Sequence, residues 1–154
     1  MGSAVRVDKI EDADVIRDIV LSVWDAIAED GLQADQWHPN FYRRAYLCVY
    51  EGENPLAVMS VHPINATSLQ VHIHIPHECR EKKYEIGQSL IDFVWSETEF
   101  KCLVAMIPVI FPNVEGFATK LGFVNVGTLK RAHTKGGELH DVNVLQLERG
   151  SSDG

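Results

Sequence analysis

Three histidines lie close together in the middle of the chain, in His72-Ile73-His74-Ile75-Pro76-His77, with Glu78 next. From Ser68 to Ile75 the residues alternate: Leu69, Val71, Ile73 and Ile75 fall on one side, Gln70, His72 and His74 on the other. That pattern predicts a strand, which Pro76 ends. Its period of two puts the His72 and His74 imidazoles on one face. An imidazole that titrates near neutrality suits proton transfer. Two imidazoles on one face, with His77 and Glu78 beyond, also suit a metal. No HExxH motif or second carboxylate cluster accompanies them, so the metal reading is the weaker one.

The cysteines offer less. Cys48, Cys79 and Cys102 form no CxxC pair. Cys48 and Cys102 sit in apolar runs and read as core. Cys79 precedes Arg80, which would favour a thiolate, but no His–Asp arrangement can be assigned to it, and it reads as loop filling. An odd number of unpaired thiols fits a reducing compartment, hence the cytoplasm. The charged run Arg80-Glu81-Lys82-Lys83-Tyr84-Glu85-Ile86-Gly87 nearly cancels against its own acids and Glu78, and by itself reads as the solvated start of a helix.

The elements that must position these residues follow from periodicity. Val5 to Ile10 is a short strand. Asp12 or Asp14 caps a helix whose one face carries Val15, Ile16, Ile19, Val20, Val23, Trp24 and Ile27, with Gly31 as its stop signal. Asp30 to Asn40 is a polar loop with a short helical turn after it. Ala45 to Tyr50 and Leu56 to His62 form a hairpin around Glu51-Gly52-Glu53-Asn54. A helix runs from about Tyr84 to Glu97, and Cys102 to Ile107 is an apolar strand suited to a buried parallel neighbour. Pro112-Asn113 opens a short helix that Gly122 closes, and Gly136-Gly137 joins strands Phe123 to Leu129 and Leu139 to Leu147. The result is an α/β sandwich with a mixed sheet.

The 154 residues predict one domain over 4–149, with flexible ends at 1–3 and 150–154. No apolar run is long enough to span a membrane, and the N-terminus lacks the features of a signal peptide. A net charge of −8 disfavours nucleic acid and anionic membrane and attracts cationic ligands.

The order of elements, together with Asn113-Val114-Glu115-Gly116-Phe117-Ala118-Thr119-Lys120-Leu121-Gly122-Phe123, resembles the GNAT acetyltransferase superfamily and its Asn-x-x-Ala…Lys-Leu-Gly-Phe helix. Ile107-Pro108 just before that helix fits the same family, and the run from His72 to Arg80 together with Gly137-Glu138-Leu139-His140-Asp141-Val142 is similar to a branch often encoded by bacteriophages. The resemblance implies a GNAT-like mixed sheet flanked by helices on both faces, with splayed fourth and fifth strands. It implies an N-acetyltransferase that moves an acetyl group from acetyl-CoA to an amine, a small molecule or a protein residue, in the cytoplasm (the host's, if phage-encoded). The implied acetyl-CoA contacts are Ile73, Ile75, Arg80, Lys82, Lys83, Tyr84, Gly87, Gln88 and Asn113, with Gly87 letting the backbone approach the phosphates; Asn113 is equally suited to be a helix N-cap. His74, then His72, is the implied base. Glu29, Asp30, Trp37 and His38 would bound the acceptor site. Aligned on Gly87, Glu85 stands where the family has a middle Gly, and Ala118 where it often has a Tyr acid. These two departures favour the rival reading, a non-catalytic GNAT fold used for binding or phage assembly. The C-terminal hairpin offers an edge for a homodimer.

Overall fold

Asp12 opens the first helix as its composition predicts: its carboxylate accepts hydrogen bonds from the backbone N–H groups of Asp14 (3.1 Å) and Val15 (3.3 Å). The computed structural model describes residues 4–26 and 28–150; Ile27, expected on this helix, lies outside them, as do 1–3 and 151–154 of the expected flexible ends. The elements are β1 (Val5–Lys9), α1 (Ala13–Ser22), β2 (Ala45–Glu51), β3 (Asn54–Pro63), β4 (Ser68–His74), α2 (Lys83–Glu97), β5 (Cys102–Pro108), α3 (Pro112–Lys120), β6 (Val124–Lys135) and β7 (Glu138–Glu148).

They build one seven-stranded sheet in the order β1-β2-β3-β4-β5-β7-β6. Every neighbouring pair is antiparallel except β4 with β5. One face packs on α1 through Ile16, Ile19 and Val20 against Tyr46, Cys48 and Val58. The other packs on α2 and α3, where Ile86, Leu90, Val94 and Ala118 meet Leu47, Met59, Val71, Leu103 and Leu145. Helices therefore cover both faces, as the resemblance implies.

Two helix ends differ from expectation or were not foreseen. α1 stops at Ser22, well before Gly31, and the chain tightens into a 3₁₀ turn at Trp24–Ala26. Tertiary contacts hold this earlier ending. Lys135 Nζ donates to the carbonyls of Asp25 (2.9 Å) and Ala28 (3.0 Å), and Trp24 packs edge-on against Trp37 with ring centroids 6.5 Å apart. At the end of α2, the Arg149 guanidinium donates to the carbonyls of Trp95 (2.7 Å), Thr98 (2.8 Å) and Phe100 (2.8 Å). It lies 4.6 Å from the Trp95 ring centroid, tying the last strand to that helix end.

The short helical turn expected after Asp30–Asn40 lies within it, at Ala34–Gln36. Strands β6 and β7 are longer than the periodicity predicts. The link between them is the expected glycine pair: Gly136 (φ 63°) and Gly137 (φ 79°) both take the left-handed conformation of a two-residue hairpin turn.

Candidate active site

The parallel pair β4–β5 is short. It begins at Ser68↔Cys102 and ends at Gln70↔Val104, although β4 runs on to His74 and β5 to Pro108. Beyond Gln70, β4 stays paired to β3 on its other edge, and β5 stays paired to β7. Two strand edges therefore face each other across a widening gap. Backbone N–H and C=O groups on such edges are obligatory hydrogen-bonding groups, suited to an amide-bearing ligand.

A cleft of about 530 Å³ passes through the sheet at this gap. Strand alternation divides its lining. Val71, Ile73 and Ile75 belong to the side of α2 and α3, where Phe117, Ala118 and Leu121 join them. Gln70, His72 and His74 belong to the α1 side, where Val23, Glu29, Arg44 and His133 join them. The register fixes this division: Tyr46, Ser60 and His72 form one cross-strand row, and Cys48, Val58 and His74 the next. Tyr46, Cys48 and Val58 all pack under α1.

At the α2 end, Arg80 and Lys83 line the cleft, and so does Asn113 at the start of α3. No side chain caps the N-terminus of α2, whose dipole favours an anion there; the Lys83 N–H itself donates to Arg80 O of the preceding 3₁₀ turn. The remaining expected acetyl-CoA contacts are not part of the lining, each for a visible reason. Lys82 is paired with Glu51. Tyr84 stacks on Phe117 at 5.5 Å between centroids, with Lys83 (5.2 Å) and Lys120 (5.3 Å) over its ring. Gln88 donates to Asp92 (2.9 Å) along the exposed side of α2. Gly87 is buried where α2 meets α3: a Cβ there would lie 2.7 Å from Leu121 Cδ1 and 3.1 Å from Phe117 Cζ. The glycine lets two helices approach, not a phosphate. Asn113 follows Pro112 inside the first turn, and Phe111 takes the N-cap position, so Asn113 is not the cap.

Of the expected acceptor residues, Glu29 alone lines the cleft. Its carboxylate accepts from Thr134 N (3.4 Å) and Oγ1 (3.3 Å). Asp30 accepts from Gly136 N (3.1 Å) and Gly137 N (2.8 Å), and those N–H groups hold its carboxyl below the usual range. It pins a loop to the β6–β7 turn. Trp37 packs on Trp24, its carbonyl accepting from Arg17, and His38 is exposed on the same loop.

His72 and His74 do reach the cleft. Burial first, then the charges of Arg44 and His62, lower the His72 pKa to about 4. Burial, then His72 and Arg44, lower that of His74 to about 3. Both imidazoles are thus neutral at pH 7 and far weaker bases than an ordinary histidine. Gln70 Nε2 lies 3.1 Å from His72 Nε2 and donates to it. His74 Nδ1 is buried with no hydrogen-bond partner among the described residues, and so is His133 Nε2. Cys79, the other titratable candidate, is pushed up by burial and by Glu78, away from a thiolate. Among the described residues no three His, Cys, Asp or Glu side chains come together to hold a metal, and His77 lies on an exposed 3₁₀ turn.

Arg44 and His133 were not foreseen. Arg44 sits in an Arg-Arg doublet that reads as surface charge. His133 is brought in by a bulge in β6 between Leu129 and His133, where Arg131 adopts φ 54° and its N–H donates to Asp141 Oδ1 (3.0 Å). The bulge seats His133 edge-on to Phe111, 6.1 Å between centroids.

No family model matches the sequence, and no curated protein does. Solved structures match it closely in shape. An N-acetyltransferase from Staphylococcus aureus Mu50 superposes with a TM-score of 0.74 at 15% identity, over 95% of this chain and 98% of that one. A spermidine N-acetyltransferase from Vibrio cholerae, solved with CoA and spermine, gives a TM-score of 0.77 at 15% identity, over 97% and 98%. At such identities the likeness is one of fold, and the fold is that of the GNAT N-acetyltransferases.

Proposed function

We propose that the protein transfers an acetyl group from acetyl-CoA to an amine. The observation that carries this reading is the cleft that opens where β4 and β5 part and joins both faces of the sheet. The residues present suit acetyl-CoA. The free edge of β4 from Val71 to Ile75 is a partner for the amides of the pantetheine arm. Arg80 and Lys83, beside the uncapped start of α2, suit its phosphates. Glu85, in the first turn of α2, opposes them. When bound, acetyl-CoA supplies an activated acyl group.

The α1 side then receives the amine. His74 accepts a hydrogen bond from it and orients its lone pair toward the gap, while His72, whose Nε2 already accepts from Gln70, lies beside it on the same face. As the N–C bond forms, the nitrogen becomes much more acidic, so a weakly basic imidazole suffices to take its proton. The C–S bond breaks and the sulfur leaves as thiolate. Ala118 occupies the position of the family's tyrosine, and among the described residues no tyrosine lines the cleft to protonate it. A cytoplasmic setting agrees with the free thiols of Cys48, Cys79 and Cys102. A bacteriophage source rests on the sequence likeness alone. For a homodimer, β6 supplies an edge strand that exposes Val124, Val126 and Leu129.

The test is release of free CoA thiol in the presence of an amine panel. His74→Ala should lower turnover by ~10²-fold or more with acetyl-CoA affinity little changed. His72→Ala should cost less, because its Nε2 is already engaged by Gln70. With the two pKa values lowered to about 4 and 3, the rising limb of the pH–rate profile should follow the acceptor's ammonium, above neutrality for an alkyl amine, and survive in both variants. Full activity in both variants would place the base elsewhere.

A further inference from the structure

Resting on that reading, we infer that the acceptor amine also carries a carboxylate, and that Arg44 binds it. The argument is the distribution of charge along the cleft. Arg80 and Lys83 gather at the α2 end, where the phosphates belong. On the α1 side the charged lining residues are Glu29 and Arg44. Glu29 is already engaged by the Thr134 N–H and hydroxyl. The Arg44 side chain makes no ion pair or hydrogen bond among the described residues; only its backbone N–H is used, donating to Asn40 O at 3.0 Å.

Arg44 is also placed to act. It directly precedes β2, two residues before Tyr46, so by alternation it shares the face of Tyr46, Ser60 and His72. It lines the same cleft as His72 and His74, and its charge is among the influences that lower their pKa values, after burial.

A polyamine acceptor needs carboxylates along its length, and this side of the cleft has one, already occupied. The chain as a whole is acidic, at −8, yet the acceptor side presents a cation that no carboxylate among the described residues pairs with. A planar guanidinium with free donors matches a carboxylate in bidentate fashion. A zwitterionic amine, of the amino-acid class, would put its carboxylate on Arg44 and its nitrogen toward the histidines. Its negative charge would also offset one of the influences that weaken those imidazoles as bases.

The experiment uses the full chain saturated with CoA, whose own binding is first measured separately. Amino acids and their decarboxylated amines, with spermidine as the polycationic arm, are titrated in matched pairs by calorimetry and by imidazole NMR shifts. At least one carboxylate-bearing member should bind about tenfold or more tightly than its decarboxylated partner. Arg44→Gln should erase that preference and leave CoA affinity unchanged, and Arg44→Lys should restore part of it. The inference is overturned if no carboxylate-bearing amine binds, if the decarboxylated amine or spermidine binds better, or if Arg44→Gln leaves the ratio intact. Failure of CoA itself to bind would instead remove the functional reading beneath it.

Discussion

Gly87→Glu should unfold the protein instead of merely emptying a phosphate site. The Cβ alone would stand 2.7 Å from Leu121 Cδ1, 3.1 Å from Phe117 Cζ and 3.3 Å from Leu121 Cδ2. These are side-chain ends, but Leu121 is itself a buried core residue and Gly87 is buried with it, so a long charged side chain there must displace Leu121 and Phe117 from the α2–α3 contact. Overpacking of this kind costs ~1–3 kcal/mol, and burying a carboxylate without a partner adds several more. Gly87→Ala is the milder control. Its gain in helix propensity, about 1 kcal/mol, is set against the push on Leu121, and the variant should stay folded. Urea melts followed by far-UV circular dichroism distinguish the cases. A Gly87→Glu protein that melts like the parent but no longer binds acetyl-CoA would return this glycine to the phosphates.

Acid should destabilise the fold well before its carboxylates titrate. His72 and His74 have pKa values lowered to about 4 and about 3 in the folded protein, against 6.5 when unfolded. Between those limits the unfolded chain binds protons that the folded one refuses. Stability therefore rises with pH, is intact above the unfolded value, and is lost as pH falls below 6.5. At pH 5 each histidine should account for roughly 2 kcal/mol of that loss, from 1.5 units at 1.36 kcal/mol each. The check is unfolding free energy at pH 7 and pH 5. His74→Leu should remove about half of the difference. A parent protein equally stable at both pH values would mean that the imidazoles are hydrated and titrate normally.

Much of the fold was legible because its strongest signals are local. The alternation from Ser68 to Ile75, ended by Pro76, yields β4 and the shared face of His72 and His74 without any tertiary knowledge. What was not legible depends on residues far apart in sequence. α1 stops early because Lys135 satisfies carbonyls near Ala26, and Asp30 is drawn to a hairpin turn rather than to an acceptor. Gly87 illustrates a second limit. Motif spacing locates a glycine at a helix start, but which face of α2 it occupies, and whether a phosphate or Leu121 lies against it, is a property of packing. His133 was hidden because a bulge breaks the alternation that would have assigned it a face. Arg44 was hidden because its importance lies in what surrounds it. Only the register of β2, β3 and β4 sets it on the face of His72 and His74.

Calorimetric titration of acetyl-CoA into the full chain tests the central claim most directly. Saturable binding at one site per chain, in the micromolar range, is the expected result. The double substitution Arg80→Glu with Lys83→Glu should weaken it by about tenfold or more, and the loss should shrink as salt screens the phosphates. No binding at millimolar acetyl-CoA, or binding that the double variant leaves unchanged, would contradict the account.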